Sequence, residues 1–160
     1  MAIRLVNDSD YTEVVSVIDE WWGGRHMSDM LPKLFFVHFK DTSFIAEEYG
    51  KLLAFLVGFV SQAHPNEAYI HFVGVHPDYR GKGIARKMYE GFFHKVIQRG
   101  CDTVRCVTSP INKISIALHT RMGFQIEKGD GNVEGIPVTV NYDGLGQDRV
   151  LFVKTLSHND

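Results

Sequence analysis

The stretch between Glu67 and Gly100, EAYIHFVGVHPDYRGKGIARKMYEGFFHKVIQRG, limits the fold of this 160-residue chain more than any other. Residues 69–75 form an apolar, β-branched and aromatic run, long enough for a strand and too short for an average helix. His76-Pro77-Asp78-Tyr79 is turn chemistry, since Pro77 cannot donate to a ladder and Asp78 readily bonds nearby backbone. Ile84, Ala85, Met88, Tyr89, Phe92, Phe93, Val96 and Ile97 then recur at helical spacing. Gly100 closes that helix, with Lys95 and Arg99 near the end where the dipole favours cations.

The chemistry lies in the joint. Gly81 and Gly83 have no Cβ, so successive amides can turn inward and a bulky anion can approach the main chain. The helix beginning immediately afterwards adds unpaired N–H donors, and Arg80 and Lys82 add full charges. Together these make a phosphate or pyrophosphate cradle. On the local pattern alone, a helix that merely starts after a Gly-rich turn stays open. A P-loop is excluded because Gly-x-x-x-x-Gly-Lys-Ser/Thr is missing. A dinucleotide fingerprint fails as well: Arg86 stands at the third glycine position, and Asp102 precedes the next strand instead of ending it.

The run Val73-Gly74-Val75-His76-Pro77-Asp78-Tyr79-Arg80-Gly81-Lys82-Gly83-Ile84-Ala85 resembles the acyl-CoA site of the GNAT acetyltransferase superfamily. There a strand ending in an apolar-x-Val pair leads through a basic residue and Gly-x-Gly or Gly-x-Ala into a long helix. The resemblance implies that Arg80, Gly81, Lys82, Gly83, Ile84 and Ala85 bind the diphosphate of acetyl-CoA. It also implies that Val73 and Val75 border the pantetheine arm, with the Val73 N–H serving as oxyanion donor. A second stretch, from Asn112 to Phe124, is similar to the family's other CoA segment, which implies cofactor contacts from Asn112 and Ser115. His119 departs from the family, standing where a tyrosine usually protonates the leaving sulfur. It is therefore the expected acid, with a histidine that only holds helix to strand as the plainer alternative.

Along the chain, residues 3–6 read as a strand, with N-cap candidates at 7–10 opening a helix that Gly23-Gly24 stops. A second helix is expected over 29–39, starting near Pro32. Strands are expected at 42–47 and 52–61, joined around Tyr49-Gly50, then at 103–108, 124–127, 136–142 and 150–156. Ser109 and Pro110 are expected to open the helix that ends at Gly123. This order is mixed α/β and is also the superfamily's. It implies a mixed, mostly antiparallel central sheet flanked by helices, the acyl-CoA N-acyltransferase (GNAT-like) fold, as one domain over 1–160.

Near-balanced charge, formally −2 with pI about 6.4, gives no footprint for nucleic acid. Cys101 and Cys106 are expected on one strand with side chains to opposite faces, neither a zinc pair nor a disulfide; a reducing, cytoplasmic setting fits. The longest apolar run, 52–60, is far too short to span a membrane. With no His-x-x-x-His or Cys-x-x-Cys spacing, no metal is expected.

Acetyl transfer to an amine needs a base, because a lysine-like ammonium titrates near ~10.4. Period-two alternation places Tyr69, His71 and Val73 on one face, where the family's bases often lie. His71 is the expected base, with Glu67 the fallback and a buried structural histidine the alternative. Trp21, Trp22, Arg25 and His26 read either as a helix end packed into the core or as an aromatic wall for an acceptor ammonium; the resemblance favours the wall. The expected function is an N-acetyltransferase acting on a primary amine of a small molecule or peptide. The alternative is a non-catalytic acyl-CoA sensor. A homodimer rests on analogy alone.

Overall fold

The computed structural model describes residues 1–157. The last three positions of the expected 1–160 domain lie outside them. The elements are β1 (Ala2–Leu5), α1 (Asp10–Trp21), α2 (Leu34–His38), β2 (Phe44–Glu48), β3 (Lys51–Val60), β4 (Glu67–Val75), α3 (Ile84–Gln98), β5 (Thr103–Thr108), α4 (Lys113–Arg121), β6 (Gln125–Ile126), β7 (Gly131–Val133), β8 (Ile136–Val138) and β9 (Val150–Thr155). Seven strands form one sheet in the order β1-β2-β3-β4-β5-β9-β6, with β7 and β8 as a separate hairpin. Only the β4–β5 pair is parallel. The expected mixed, mostly antiparallel sheet is therefore the observed one.

Two apolar layers sandwich this sheet. On one face α3 buries Ile84, Met88, Tyr89, Phe92, Phe93 and Val96 against Ala54, Leu56, Ala68 and Ile70. On the other, α1 and α2 bury Val14, Ile18, Trp21 and Phe36 against Ile45, Phe55, Val57 and Phe72. Gly58 lets α3 lie close: a Cβ there would sit 2.5 Å from Cε2 of Phe92. A strand with side chains buried on both faces reads as a continuous apolar run, as β3 does.

Local chemistry moved several expected boundaries. The 29–39 helix divides into a 3₁₀ turn (Ser28–Met30) and the five-residue α2. Asn112, not Ser109, caps α4, its Oδ1 accepting from the Ser115 amide at 3.1 Å. The expected 136–142 strand shortens to β8, leaving a single Thr139–Arg149 bridge beyond it. Cys101 lies before β5 rather than on it, so the opposite-faces expectation fails. Both thiols are free and buried in the same α3-side core.

Two irregularities of β4 shape the centre of the molecule. Its pairing with β5 covers only Glu67 to Tyr69, opposite Thr103 to Arg105. Beyond Tyr69 the two strands part. Its register with β3 also slips: Val57 faces Phe72 while the adjacent Gly58 faces Ile70. His71 is thus the extra residue of a β-bulge.

Candidate active site

The turn between β4 and α3 presents a run of unsatisfied donors. Gly81 and Gly83 both adopt left-handed backbone, φ +76° and +80°, with nothing within 4 Å of where a Cβ would project. Gly83 caps α3, and Lys87 is the first helical residue whose amide finds an acceptor, Gly83 O at 3.2 Å. The N–H groups of residues 81–86 meet no acceptor among the described residues. Amides left without acceptors at a helix N-terminus suit an anion with several oxygens. Gly81, Lys82, Gly83, Ile84 and Ala85 are brought together here.

Arg80 is not. Its guanidinium turns back, donating from Nη2 to the Trp21 carbonyl at 2.6 Å and from Nε to the Val75 carbonyl at 3.2 Å. Lys51, unmarked in the sequence, and Tyr79, read there only as part of the turn, meet at this site instead. The ring of Tyr79 has the Nζ of Lys82 and of Lys51 each 5.0 Å from its centroid. Nothing local marks Lys51; the β3–β4 register, pairing Ala54 with Val75, carries it there.

The parting of β4 and β5 exposes the strand's own backbone. His76 donates its amide to Leu53 O across β3 at 2.8 Å. Alternation then points the Val73 and Val75 amides away from β3, into the gap.

The bulge corrects the face assignment around it. Tyr69, His71 and Val73 do not share one face. Val73 packs with the α3-side core, whereas Tyr69 stacks on Phe59 and His71 on Phe35, on the α1–α2 side. His71 lies parallel to Phe35, 4.3 Å between centroids and 5° between planes. Its Nε2 is 2.5 Å from the Met30 carbonyl, which can only accept, so the proton sits on Nε2 and Nδ1 keeps a lone pair. Burial lowers the pKa of this ring, opposed by the Met30 bond. A neutral imidazole with an open Nδ1 can take a proton. The fallback Glu67 is instead engaged by Arg105, which also binds Glu127, where β4 and β5 still pair.

The two tryptophans separate. Trp21 is 4% exposed and packs on Phe55 and His76, so it belongs to the core and not to a wall. Trp22 is half-buried and lies over β4, its ring 4.9 Å from that of Phe72. Gly74 makes that contact possible, because a Cβ there would fall 2.8 Å from Cη2 of Trp22. Arg25 and His26 are exposed on the α1–α2 connection. His26 bridges Asp19 (3.2 Å) and Asp29 (2.7 Å). Tyr69 keeps the His71 side that alternation gave it, and its hydroxyl meets no hydrogen-bonding partner among the described residues.

The second expected segment is more structural than its motif implies. Oδ1 of Asn112 is committed to the α4 cap, and Ser115 contributes its amide to that cap and its Oγ toward His119. His119 is 7% exposed, stacked on Phe152 and edge-on to Phe124. Nδ1 donates to Ser115 O at 2.7 Å and Nε2 accepts from the Tyr89 hydroxyl at 2.8 Å. Burial lowers its pKa, so it carries no spare proton for a leaving thiolate. The geometry matches the helix-holding alternative.

The profile of the acetyltransferase (GNAT) family matches residues 10–124. An acetyltransferase of Sodalis glossinidius is 29% identical over 132 residues, covering 79% of this chain and 89% of that protein. Among solved structures, a GNAT-family protein of Desulfovibrio desulfuricans superposes with a TM-score of 0.80 at 19% identity, covering 98% of this chain and 99% of that one. The diaminobutyrate acetyltransferase of Paenibacillus lautus, solved with L-2,4-diaminobutyric acid and coenzyme A, gives 0.71 at 22% identity, covering 96% and 93%.

Proposed function

The chain belongs to the acetyltransferase (GNAT) family, and on that premise we propose that it moves the acetyl group of acetyl-CoA directly onto a primary amine of a small molecule or peptide, both substrates being held at once. The observation that carries this reading is the amide run of residues 81–86, left without acceptors among the described residues beside the gap where β4 leaves β5. A methyl group at Gly81 or Gly83 would stand in that open space, which fits a diphosphate approaching the backbone. The Paenibacillus relative, solved with coenzyme A and a diamine, supports the same pairing of substrates.

Acetyl-CoA supplies a thioester carbonyl whose carbon the amine attacks. The chain's own groups then have three tasks. The residue 81–86 amides and the charge of Lys82 hold the diphosphate, aiming the pantetheine arm along the free edge of β4. The Val73 N–H, pointing into the gap, donates to the carbonyl oxygen as negative charge gathers there. Nδ1 of His71 accepts the proton that the ammonium must lose, directly or through one water. The new bond joins nitrogen to the acetyl carbon, the carbon–sulfur bond breaks, and the sulfur leaves as thiolate. A thiol titrates near ~8.5, so that departure needs no strong acid, which suits the engaged state of His119. Trp22 and Phe72 wall the acceptor side.

The test is direct. Pure protein is titrated with coenzyme A by calorimetry, then given acetyl-CoA and a panel of amines while free thiol is followed. Thiol release with particular amines supports transfer. Coenzyme binding without release for any amine would favour the sensor reading, and no heat with coenzyme A would remove the site.

A further inference from the structure

Arg80 sits in the basic-Gly-x-Gly segment, yet its guanidinium faces away from the open amides of residues 81–86. It bonds the Trp21 carbonyl at 2.6 Å and the Val75 carbonyl at 3.2 Å. Trp21 is the last residue of α1, so this cation also meets the negative end of that helix. A second connection runs beside the first. The His76 ring stands edge-on to Trp21 at 5.5 Å and to Tyr79 at 5.3 Å, and its Nδ1 accepts from the Asp78 amide at 3.1 Å. Tyr79 in turn carries Lys51 and Lys82 against its ring. One residue beyond Trp21, the Trp22 ring lies on Phe72 and over Gly74, beside the bulge that bears His71.

We infer that Arg80 is a positioning residue for the acceptor side rather than a ligand of the diphosphate: it ties the turn at residues 81–83 to the end of α1, so that filling the turn is felt at the Trp22 wall. The carbonyls it holds belong to different layers, Val75 closing β4 and Trp21 closing α1. A lysine, with one compact ammonium, cannot span both as a planar fork does. The backbone amides of residues 81–86 remain free for the anion whether or not Arg80 is present. The inference rests on the turn being the coenzyme site.

The chain has two tryptophans, Trp21 and Trp22, so intrinsic fluorescence reads this junction without added probes. The experiment compares wild type with Arg80→Met and Arg80→Lys, each checked for folding by circular dichroism. Emission is recorded alone and during coenzyme A titration, with affinity measured by calorimetry. In Arg80→Met, emission without ligand is expected to shift red, the coenzyme-induced change to fall by about half or more, and Kd to stay within about threefold. Arg80→Lys is expected to fall between the two. A loss of affinity of about tenfold or more with unmoved emission would make Arg80 a diphosphate ligand and overturn the inference. Unmoved emission at unchanged affinity would overturn it equally. If wild type gives no heat with coenzyme A, the proposed function fails. A red shift in unliganded Arg80→Met would then still establish the tie to α1, while the coupling to the turn would be lost with its ligand.

Discussion

The Tyr89 hydroxyl and Nε2 of His119 lie 2.8 Å apart, joining α3 to α4 through the buried core. Ser115 O fixes the proton of His119 on Nδ1, so Tyr89 donates and the imidazole accepts. Tyr89→Phe leaves that nitrogen buried and unsatisfied, at an expected cost of about 1–3 kcal/mol. His119→Ala also opens a cavity and is expected to cost about 2–4 kcal/mol. Urea unfolding measures both. Because both groups are buried and bonded to each other, kcat at saturating substrates is expected to change less than about threefold, against the 10² or more typical of a lost acid.

His71 is where a rate effect is expected. His71→Gln keeps a group able to bond Met30 O but removes the basic nitrogen. The expected fall in kcat/KM is about 10²-fold, with coenzyme A affinity unchanged by calorimetry. The pH profile follows from the direction of the shift. Burial lowers the folded pKa of His71 below its ordinary value, so the unfolded chain binds the extra proton first. Both the basic form and the stability linked to it are present above about pH 6.5 and are lost as pH falls through the lowered folded value. The acid limb of kcat/KM is expected below that pH in wild type and absent from the variant.

Gly83 and Gly91 make a controlled pair. Both have open space at the Cβ position, but Gly83 is left-handed and Gly91 lies within α3. Gly83→Ala therefore carries a backbone strain of about 1 kcal/mol and places a methyl on the proposed anion path. Its loss of coenzyme A affinity is expected to reach about tenfold, which calorimetry would read. Gly91→Ala is expected to raise stability by about 0.5–1 kcal/mol without touching affinity.

What could be read from the chain itself, and what could not, has a physical division. The β4–turn–α3 unit was legible because its information is local: apolar alternation, two glycines, then helical spacing. So was the order of elements that gives the sheet. The face of His71 was not, because a bulge is a relation between two strands, and one slipped pair between Val57 and Gly58 undoes period-two counting. The direction the Arg80 guanidinium takes was hidden for a similar reason. Its partners, the carbonyls of Trp21 and Val75, carry no side-chain signal. Lys51 reaches Tyr79 only through the hairpin register. The adjacent tryptophans looked alike in sequence, and only the end of α1 turns one into the core and the other over the strand.

The α1–α2 connection is expected to loosen as pH rises. Hydrogen bonds to Asp29 and then Asp19 raise the pKa of His26, since its ring can donate to both only as an imidazolium. With the folded value above the unfolded one, the contribution is fully present below about pH 6.5 and is lost as pH climbs through the raised value. Asp19 also accepts the Met27 and Ser28 amides, both at 2.8 Å. Titration of the histidine ring signals by NMR is expected to find His26 above, and His71 below, the ordinary range. In Asp29→Asn the His26 value is expected to drop, and exchange of the Met27 and Ser28 amides to quicken.

Gly74→Ala tests the acceptor wall apart from the coenzyme turn. The added methyl would sit 2.7 Å from Cε1 of Phe55 and 2.8 Å from Cη2 of Trp22. Both are below any ordinary carbon contact, so one ring must yield. Phe55 is fully buried, stacked against Trp21 and against Phe72, whereas Trp22 keeps a solvent-facing edge. The cheaper response is for Trp22 to move. Overpacking of this kind typically costs about 1–3 kcal/mol. The expected variant is modestly destabilised in urea, shows red-shifted tryptophan emission, and binds coenzyme A with unchanged affinity, since the amides of residues 81–86 lie beyond the end of β4. Its KM for an accepted amine is expected to rise about tenfold while kcat changes little, the loss falling on acceptor binding. An unchanged KM beside a moved tryptophan would separate Trp22 from the acceptor and leave Phe72, Phe35 and Tyr69 as the groups that line it.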